Sequence, residues 1–123
     1  MKKIYFFLFF ITFILFLSSC SKNNIETKNL DNFAECIANS NAKLYAAFWC
    51  PHCKEQKEMF GSSWDKIKDR VYVECSNPDR TQTEICRQQN IRGYPTWKFS
   101  DGSELLGKQD FYTLAQKTGC ELN

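Results

Sequence analysis

Histidine is nearly missing from this chain: His52 is the single one in 123 residues. A Cys2His2 zinc site needs two, and an all-cysteine site needs a second close pair. Cys75 and Cys86 stand eleven apart, so the spacing disfavours zinc and no metal is expected. Covalent haem requires a histidine directly after the second cysteine of a C-x-x-C, and Lys54 stands there instead. Strong charge is missing too. The formal net charge is +2, and no basic patch argues for a nucleic-acid partner. No apolar run reaches the roughly 20 residues of a comfortable membrane span. The longest, Ile4 to Leu17, has fourteen residues and contains Thr12. No internal repeat or low-complexity segment is present.

What is there begins with an export signal. Lys2 and Lys3 form a short basic start, and Ile4 to Leu17 has the length of a signal-peptide core. Leu17-Ser18-Ser19-Cys20 follows, and it resembles the lipobox of bacterial lipoproteins. That resemblance implies that Cys20 carries lipid and becomes the mature N-terminus; the alternative is an uncleaved N-terminal anchor. Either way the domain is held at a membrane surface outside the cytoplasm, in a bacterial cell envelope and facing the periplasm if the cell is Gram-negative. Several acyl chains make such anchoring stable. The expected division is a signal peptide over 1–19, a polar tether over 20–29 and one domain over 30–123. Without Lys2 and Lys3 the chain has 14 basic and 14 acidic residues, so the mature charge is about zero.

The domain reads as α/β. Leu30, Phe33, Ala34 and Ile37 recur at i, i+3, i+4, i+7, which is one helix face. Leu44 to Trp49 is an apolar run of strand length, read as a buried central strand. Cys50 to about Phe60 is helical, Gly61-Ser62-Ser63 breaks or kinks it, and Trp64 and Ile67 continue an apolar face. Arg70 to Cys75 alternates and reads as a strand. Thr81 or Thr83 caps a short helix running to Gln89. Thr96 to Phe99 and Glu104 to Leu106 form a hairpin across Ser100-Asp101-Gly102-Ser103. A last helix holds Phe111, Leu114 and Ala115, with Asp110 as cap and Gly119 as stop.

The chemistry sits at Trp49-Cys50-Pro51-His52-Cys53. A C-x-x-C at a strand-to-helix junction reads as a redox dithiol. A cysteine at a helix N-terminus faces unpaired N–H groups and the positive end of the helix dipole, so its thiolate is favoured. Pro51 fits the first helical turn, where its missing N–H costs nothing. His52 adds an imidazole beside the thiolate. Cys50 is read as the nucleophile and Cys53 as the partner that resolves a mixed disulfide, so the redox-active disulfide itself serves in place of a cofactor. A purely structural Cys50–Cys53 disulfide is the alternative, although strained exposed disulfides tend to be the labile ones.

This order of elements, with WCPHC after the first long strand and Tyr94-Pro95-Thr96-Trp97 before the third, resembles the thioredoxin fold. The resemblance implies a central mixed four-stranded sheet flanked by helices on both faces. It also implies a cis Tyr94–Pro95 bond that places the Tyr94 backbone beside Cys50, where it pairs with an extended substrate segment. Trp49 joins Tyr94 and Pro95 as an expected substrate contact, while Trp97, Phe48, Phe60, Phe99 and Phe111 are most simply core. LYAAFWCPHCKEQKEMFG, YVEC, IC, IRGYPTW and LAQKTGC are similar to the thioredoxin-like domain fused to bacterial and plant homologues of vitamin K epoxide reductase. In that family a membrane part makes disulfides with quinone and the thioredoxin-like domain passes them on. By resemblance this chain is a free-standing, lipid-anchored thiol–disulfide oxidoreductase. Its partners would be exported cysteine-containing proteins and a separate membrane disulfide oxidase or reductase. Pro51-His52 resembles strongly oxidising disulfide donors, and Leu44 to Phe48 lacks the acid that reducing thioredoxins carry. Both lean toward donation of disulfides without fixing the direction of flow. An envelope reductase or isomerase, or a non-catalytic binding module of the same fold, are the alternatives.

With Cys20 assigned to lipid, six cysteines remain, and an even number in an exported chain suggests pairing. Cys75 ends a strand and Cys86 lies on the next helix; the connection is short enough to fold back, and the related family carries both positions. A structural disulfide is expected there, with a second redox pair as the alternative. Cys36 and Cys120 are left over. Arithmetic pairs them, while thioredoxin topology is expected to put the first and last helices on opposite faces, so that pair stays open.

Overall fold

The computed structural model describes residues 22–122, with side chains from residue 26 onward. The expected signal peptide over 1–19 and Cys20 lie outside the described residues. Among the described residues five helices and four strands follow one another: α1 (Lys22–Asn39), β1 (Lys43–Ala46), α2 (Pro51–Met59), α3 (Ser63–Val71), β2 (Tyr72–Glu74), α4 (Glu84–Gln88), β3 (Thr96–Lys98), β4 (Glu104–Leu106) and α5 (Phe111–Thr118). The strands form one mixed sheet in the order β2-β1-β3-β4. β1 runs parallel to β2, with Ala46 opposite Glu74, and antiparallel to β3, with Leu44 opposite Trp97. β4 completes the sheet antiparallel to β3.

Alternation along β1 divides the core between the two faces of the sheet. Leu44 and Ala46 join Phe33, Ile37, Phe60, Ile67, Trp97 and Leu114 in the main core. Tyr45 points the other way, into a smaller cluster with Cys75, Cys86 and Ile91 under α4. Helices therefore cover both faces, as the α/β reading requires.

The first helix is longer than its apolar stripe. α1 begins at Lys22, inside the segment read as a polar tether. Once Phe33, Ala34 and Ile37 are packed, extending the helix toward its N-terminus needs only propagation, which is far cheaper than a new nucleus. The strands are shorter than their apolar runs. β1 stops at Ala46 and β2 starts at Tyr72, because Arg70 and Val71 finish α3, where Val71 is buried. The break between α2 and α3 falls at Gly61, whose φ of 52° lies in the left-handed region that glycine tolerates.

Two expectations are corrected. Phe48 is 55% exposed and is not core, since it lies in the turn after β1 has ended. The first and last helices are not on opposite faces. α1 and α5 pack together on one face, where Phe33 meets Phe111 edge-on at 5.3 Å. Cys36 on α1 and Cys120 just past α5 are joined there, S–S 2.05 Å and Cα–Cα 5.8 Å.

Candidate active site

β1 delivers the chain to a tight turn, and the turn delivers Cys50 to the start of α2. The Cys50 N–H closes that turn on the Ala47 carbonyl at 3.1 Å. Cys50 is the N-cap of α2, with extended backbone (φ −82°, ψ 119°), and Pro51 takes the first helical position. The Cys50 sulfur accepts the Cys53 N–H at 3.3 Å. One of the unpaired N–H groups of the helix start thus points at the sulfur that would carry charge. Among the described residues Cys50 and Cys53 are the two cysteines outside disulfides.

The two sulfurs sit in different surroundings. Cys50 is 6% exposed and lies at the surface end of the helix, while Cys53 is 0% exposed. Burial pushes the Cys53 thiol up to about 12, with its hydrogen bond to Cys50 adding to the effect. The Ala47 backbone and the Lys57 ammonium act in the opposite direction. The pair therefore holds one sulfur that helix amides serve directly and one that stays a thiol until drawn into reaction.

Tyr94 and Pro95 stand across from Cys50. Their peptide bond is cis, and the Cys50 thiol donates to the Tyr94 carbonyl at 3.7 Å. The Pro95 carbonyl accepts from Gly107 N–H at 2.7 Å, and the Gly93 carbonyl accepts from the Thr96 hydroxyl at 2.8 Å, so the loop is tied to the sheet on both sides. Trp49 is 41% exposed and meets the Tyr94 ring edge-on at 6.0 Å. Its indole N–H donates to Ser76 Oγ at 2.8 Å, and Arg80 lies 5.9 Å over its ring. Trp49, Tyr94 and Pro95 are thus gathered around Cys50. His52 points outward. Its side chain is 70% exposed, and its Nδ1 lies 3.5 Å from Glu55, which also binds Lys108 at 2.7 Å. Lys108 first, and His52 second, hold the Glu55 carboxyl below its ordinary range.

Cys75 and Cys86 are bonded, S–S 2.01 Å and Cα–Cα 5.4 Å, in the small cluster under α4. Among the described residues no group of three or more His, Cys, Asp or Glu side chains could hold a metal ion. No helix among them is long and apolar enough to cross a membrane.

Three residues of the site are absent from the sequence reading. Gln56 is fully buried beneath α2, where its Oε1 accepts from Trp97 Nε1 at 3.0 Å and from Gln109 N–H at 2.7 Å. Its position three residues after Cys53, on the same helix face, was the available signal. Ser76 and Glu74 carry no local signal, because their partners Trp49 and Phe48 come from the turn after β1.

The family model described as Thioredoxin matches residues 24–118. Among curated proteins, the chain is 45% identical over 87 residues to the thiol-disulfide oxidoreductase LTO1 of Arabidopsis thaliana, covering 67% of this chain and 22% of that protein. It is 29% identical over 85 residues to protein disulfide-isomerase A5 of Bos taurus, covering 65% of this chain and 16% of that protein. The match spans about a fifth of the length of each of these relatives.

Proposed function

This chain belongs to the thioredoxin family, and on that premise we propose that it is a protein thiol–disulfide oxidoreductase that gives disulfides to exported proteins. The observation that carries the reading is the placement of Cys50: its sulfur caps α2, accepts the Cys53 N–H and lies 3.7 Å from the Tyr94 carbonyl. In the reaction a substrate dithiol meets the Cys50–Cys53 disulfide. A substrate thiolate attacks Cys50, giving a mixed disulfide and releasing Cys53, which takes up a proton. The second substrate thiolate, having lost its own proton, attacks the substrate sulfur of that mixed disulfide. The substrate leaves oxidised and Cys50 leaves as a thiolate, which the helix amides stabilise. Trp49 and Tyr94 form the surface on which the substrate chain lies, and Pro95, fully buried, holds the Tyr94 backbone in place from behind. The same placement serves the reverse flow, in which Cys50 attacks and Cys53 resolves.

The finer reading is an exported carrier, anchored through lipid at Cys20 on the outer side of a membrane. A quinone-linked membrane oxidase of the vitamin K epoxide reductase kind would recharge it. The basic start, the fourteen-residue apolar core and the Leu-Ser-Ser-Cys motif support the anchor. Pro51-His52 and the lack of an acid in β1 support the oxidising direction. Similarity to the protein disulfide-isomerase A5 of Bos taurus favours a second reading, an isomerase, with a reductase as its companion alternative.

The deciding experiment is the reduction potential of the Cys50–Cys53 couple, equilibrated against glutathione buffers. A value well above the roughly −270 mV of thioredoxin, toward the −120 mV of strong donors, supports donation. A thioredoxin-like value supports outward delivery of electrons.

A further inference from the structure

One loop frames Trp49. The segment between β2 and α4 turns back on itself, with Ser76 and Gln82 bridged at its base and the Asn77 N–H donating to the Thr81 carbonyl at 2.9 Å. Ser76, at the start of the loop, accepts the Trp49 indole N–H at 2.8 Å. Arg80, farther along it, lies over the Trp49 ring, its guanidinium carbon 5.9 Å from the centroid. The loop thus meets Trp49 at its N–H and over its ring, and Tyr94 meets the same ring edge-on at 6.0 Å.

Arg80 is held in place and left without a charge partner. Its φ of 67° is left-handed, a conformation that bulky side chains seldom adopt. The turn secures it. The Arg80 N–H donates to the Asn77 carbonyl at 2.8 Å, and the Asn77 amide donates to Thr81 Oγ1 at 3.0 Å. The carboxylate next to it in sequence is already engaged: Asp79 Oδ1 accepts the Thr81 N–H at 3.0 Å and the Thr81 hydroxyl at 2.6 Å. Among the described residues no carboxylate pairs with Arg80, which is exposed, whereas Arg70 and Arg87 each pair with a glutamate. A guanidinium keeps its N–H donors at its edge, in a fork that fits a carboxylate.

A substrate chain that pairs with the Tyr94 backbone and brings its cysteine to Cys50 also passes Trp49, and the cation lies on that ring. We propose that Arg80 is a specificity-determining residue, whose guanidinium binds an acidic side chain flanking the reacting cysteine of a substrate protein. This rests on the oxidoreductase reading and adds a substrate class to it. The redox step itself is unchanged: the substrate dithiol becomes a disulfide and the Cys50–Cys53 disulfide becomes a dithiol.

The test uses the full chain in its Cys50–Cys53 disulfide form and two reduced dithiol peptides. The peptides differ only in carrying Glu or Gln on both sides of the first cysteine. kcat/KM is measured for each, and their ratio is the preference for acid. That preference is expected to be about threefold greater in wild type than in Arg80→Gln, the size of one exposed ion pair. It should be smallest in Arg80→Glu, and the gap between wild type and Arg80→Gln should close in about 0.5 M salt. The Gln peptide and the tryptophan emission should be the same in wild type and Arg80→Gln, which a purely structural role for Arg80 would not allow. An equal preference in wild type and Arg80→Gln overturns the proposal. So does equal slowing of both peptides in Arg80→Gln, which would leave Arg80 as a support for Trp49. A wild-type protein that oxidises neither peptide would instead overturn the oxidoreductase reading, and this proposal with it.

Discussion

Gln56 Oε1 receives the indole N–H of Trp97 at 3.0 Å in the interior, where both side chains are fully buried. The same oxygen accepts from Gln109 N–H, and Gln56 Nε2 donates back to the Gln109 carbonyl at 3.1 Å. One amide thus links the redox helix, the central sheet and the segment before α5. Gln56→Ala leaves the buried Trp97 N–H and the half-buried Gln109 N–H unmet and removes packing. It should cost about 2–4 kcal/mol. Urea unfolding should show a lower midpoint with an unchanged slope.

Cys53 sets a pH dependence that exists only in the reduced protein. Burial raises its folded value to about 12, while an unfolded cysteine ionises near 8.5. The stability tied to the folded thiol is fully present below the unfolded value and is lost as pH rises toward the folded one. Between about pH 8.5 and 12 the reduced protein should lose stability relative to the oxidised one, by up to about 1.4 kcal/mol per pH unit. Unfolding curves of both forms across that range check it. A reduced protein that holds a constant stability gap to the oxidised one would contradict the assignment.

Much of the site follows from local rules. Cys50 as a cap, Pro51 in the first turn and Gly119 as a left-handed stop each need only a few neighbouring residues to be read. Strand ends are less legible. The apolar run Leu44–Trp49 does not reveal that the ladder stops at Ala46 and that Phe48 turns outward, because hydrophobicity marks packing partners and the turn supplies none for Phe48. The alternating Arg70–Cys75 segment likewise hides that its first two residues close a helix. The Cys36–Cys120 bond depends on which face two distant helices share, which neither helix's own periodicity contains. Glu74 reads as the outward member of an alternating strand until the turn of Phe48 is brought beside it.

The two disulfides should differ in worth by their loops. Cys36–Cys120 spans 84 residues and Cys75–Cys86 spans 11. The chain-entropy model gives about 4–5 kcal/mol for the first and about 3 for the second. Replacing Cys36 and Cys120 together with Ala should therefore lower stability more than replacing Cys75 and Cys86. Guanidinium unfolding ranks them, and a larger loss from the short loop would show that packing under α4 outweighs loop entropy.

Trp49 should report on the loop that follows β2. Its N–H is held by Ser76 Oγ at 2.8 Å. Ser76→Ala removes that bond and the one the buried Ser76 hydroxyl donates to the Asn77 carbonyl at 3.0 Å, together worth about 1–2 kcal/mol. The ring is then free to leave Tyr94, so tryptophan emission should shift to the red and the KM for a reduced peptide substrate should rise. Because Cys50 and its cap are untouched, the potential should stay where it was.

His52 offers the sharpest check on how the motif is tuned. In the sequence it stands beside the nucleophile, and a protonated imidazole there would favour the Cys50 thiolate and raise the potential. In the structure the side chain is 70% exposed and its Nδ1 faces Glu55, itself bound to Lys108. Water and the Glu55 carboxylate both weaken its field at the sulfur. His52→Ala should therefore make the couple more reducing by no more than about 30 mV, the equivalent of roughly 1.4 kcal/mol. The shift should shrink in high salt, because the His52 imidazole is exposed to solvent. A potential unchanged at low salt would remove His52 from the tuning of the couple and leave the helix amides at Cys50 as its source. A drop much beyond 30 mV would mean that the imidazole leaves Glu55 and binds the thiolate directly in the reduced state.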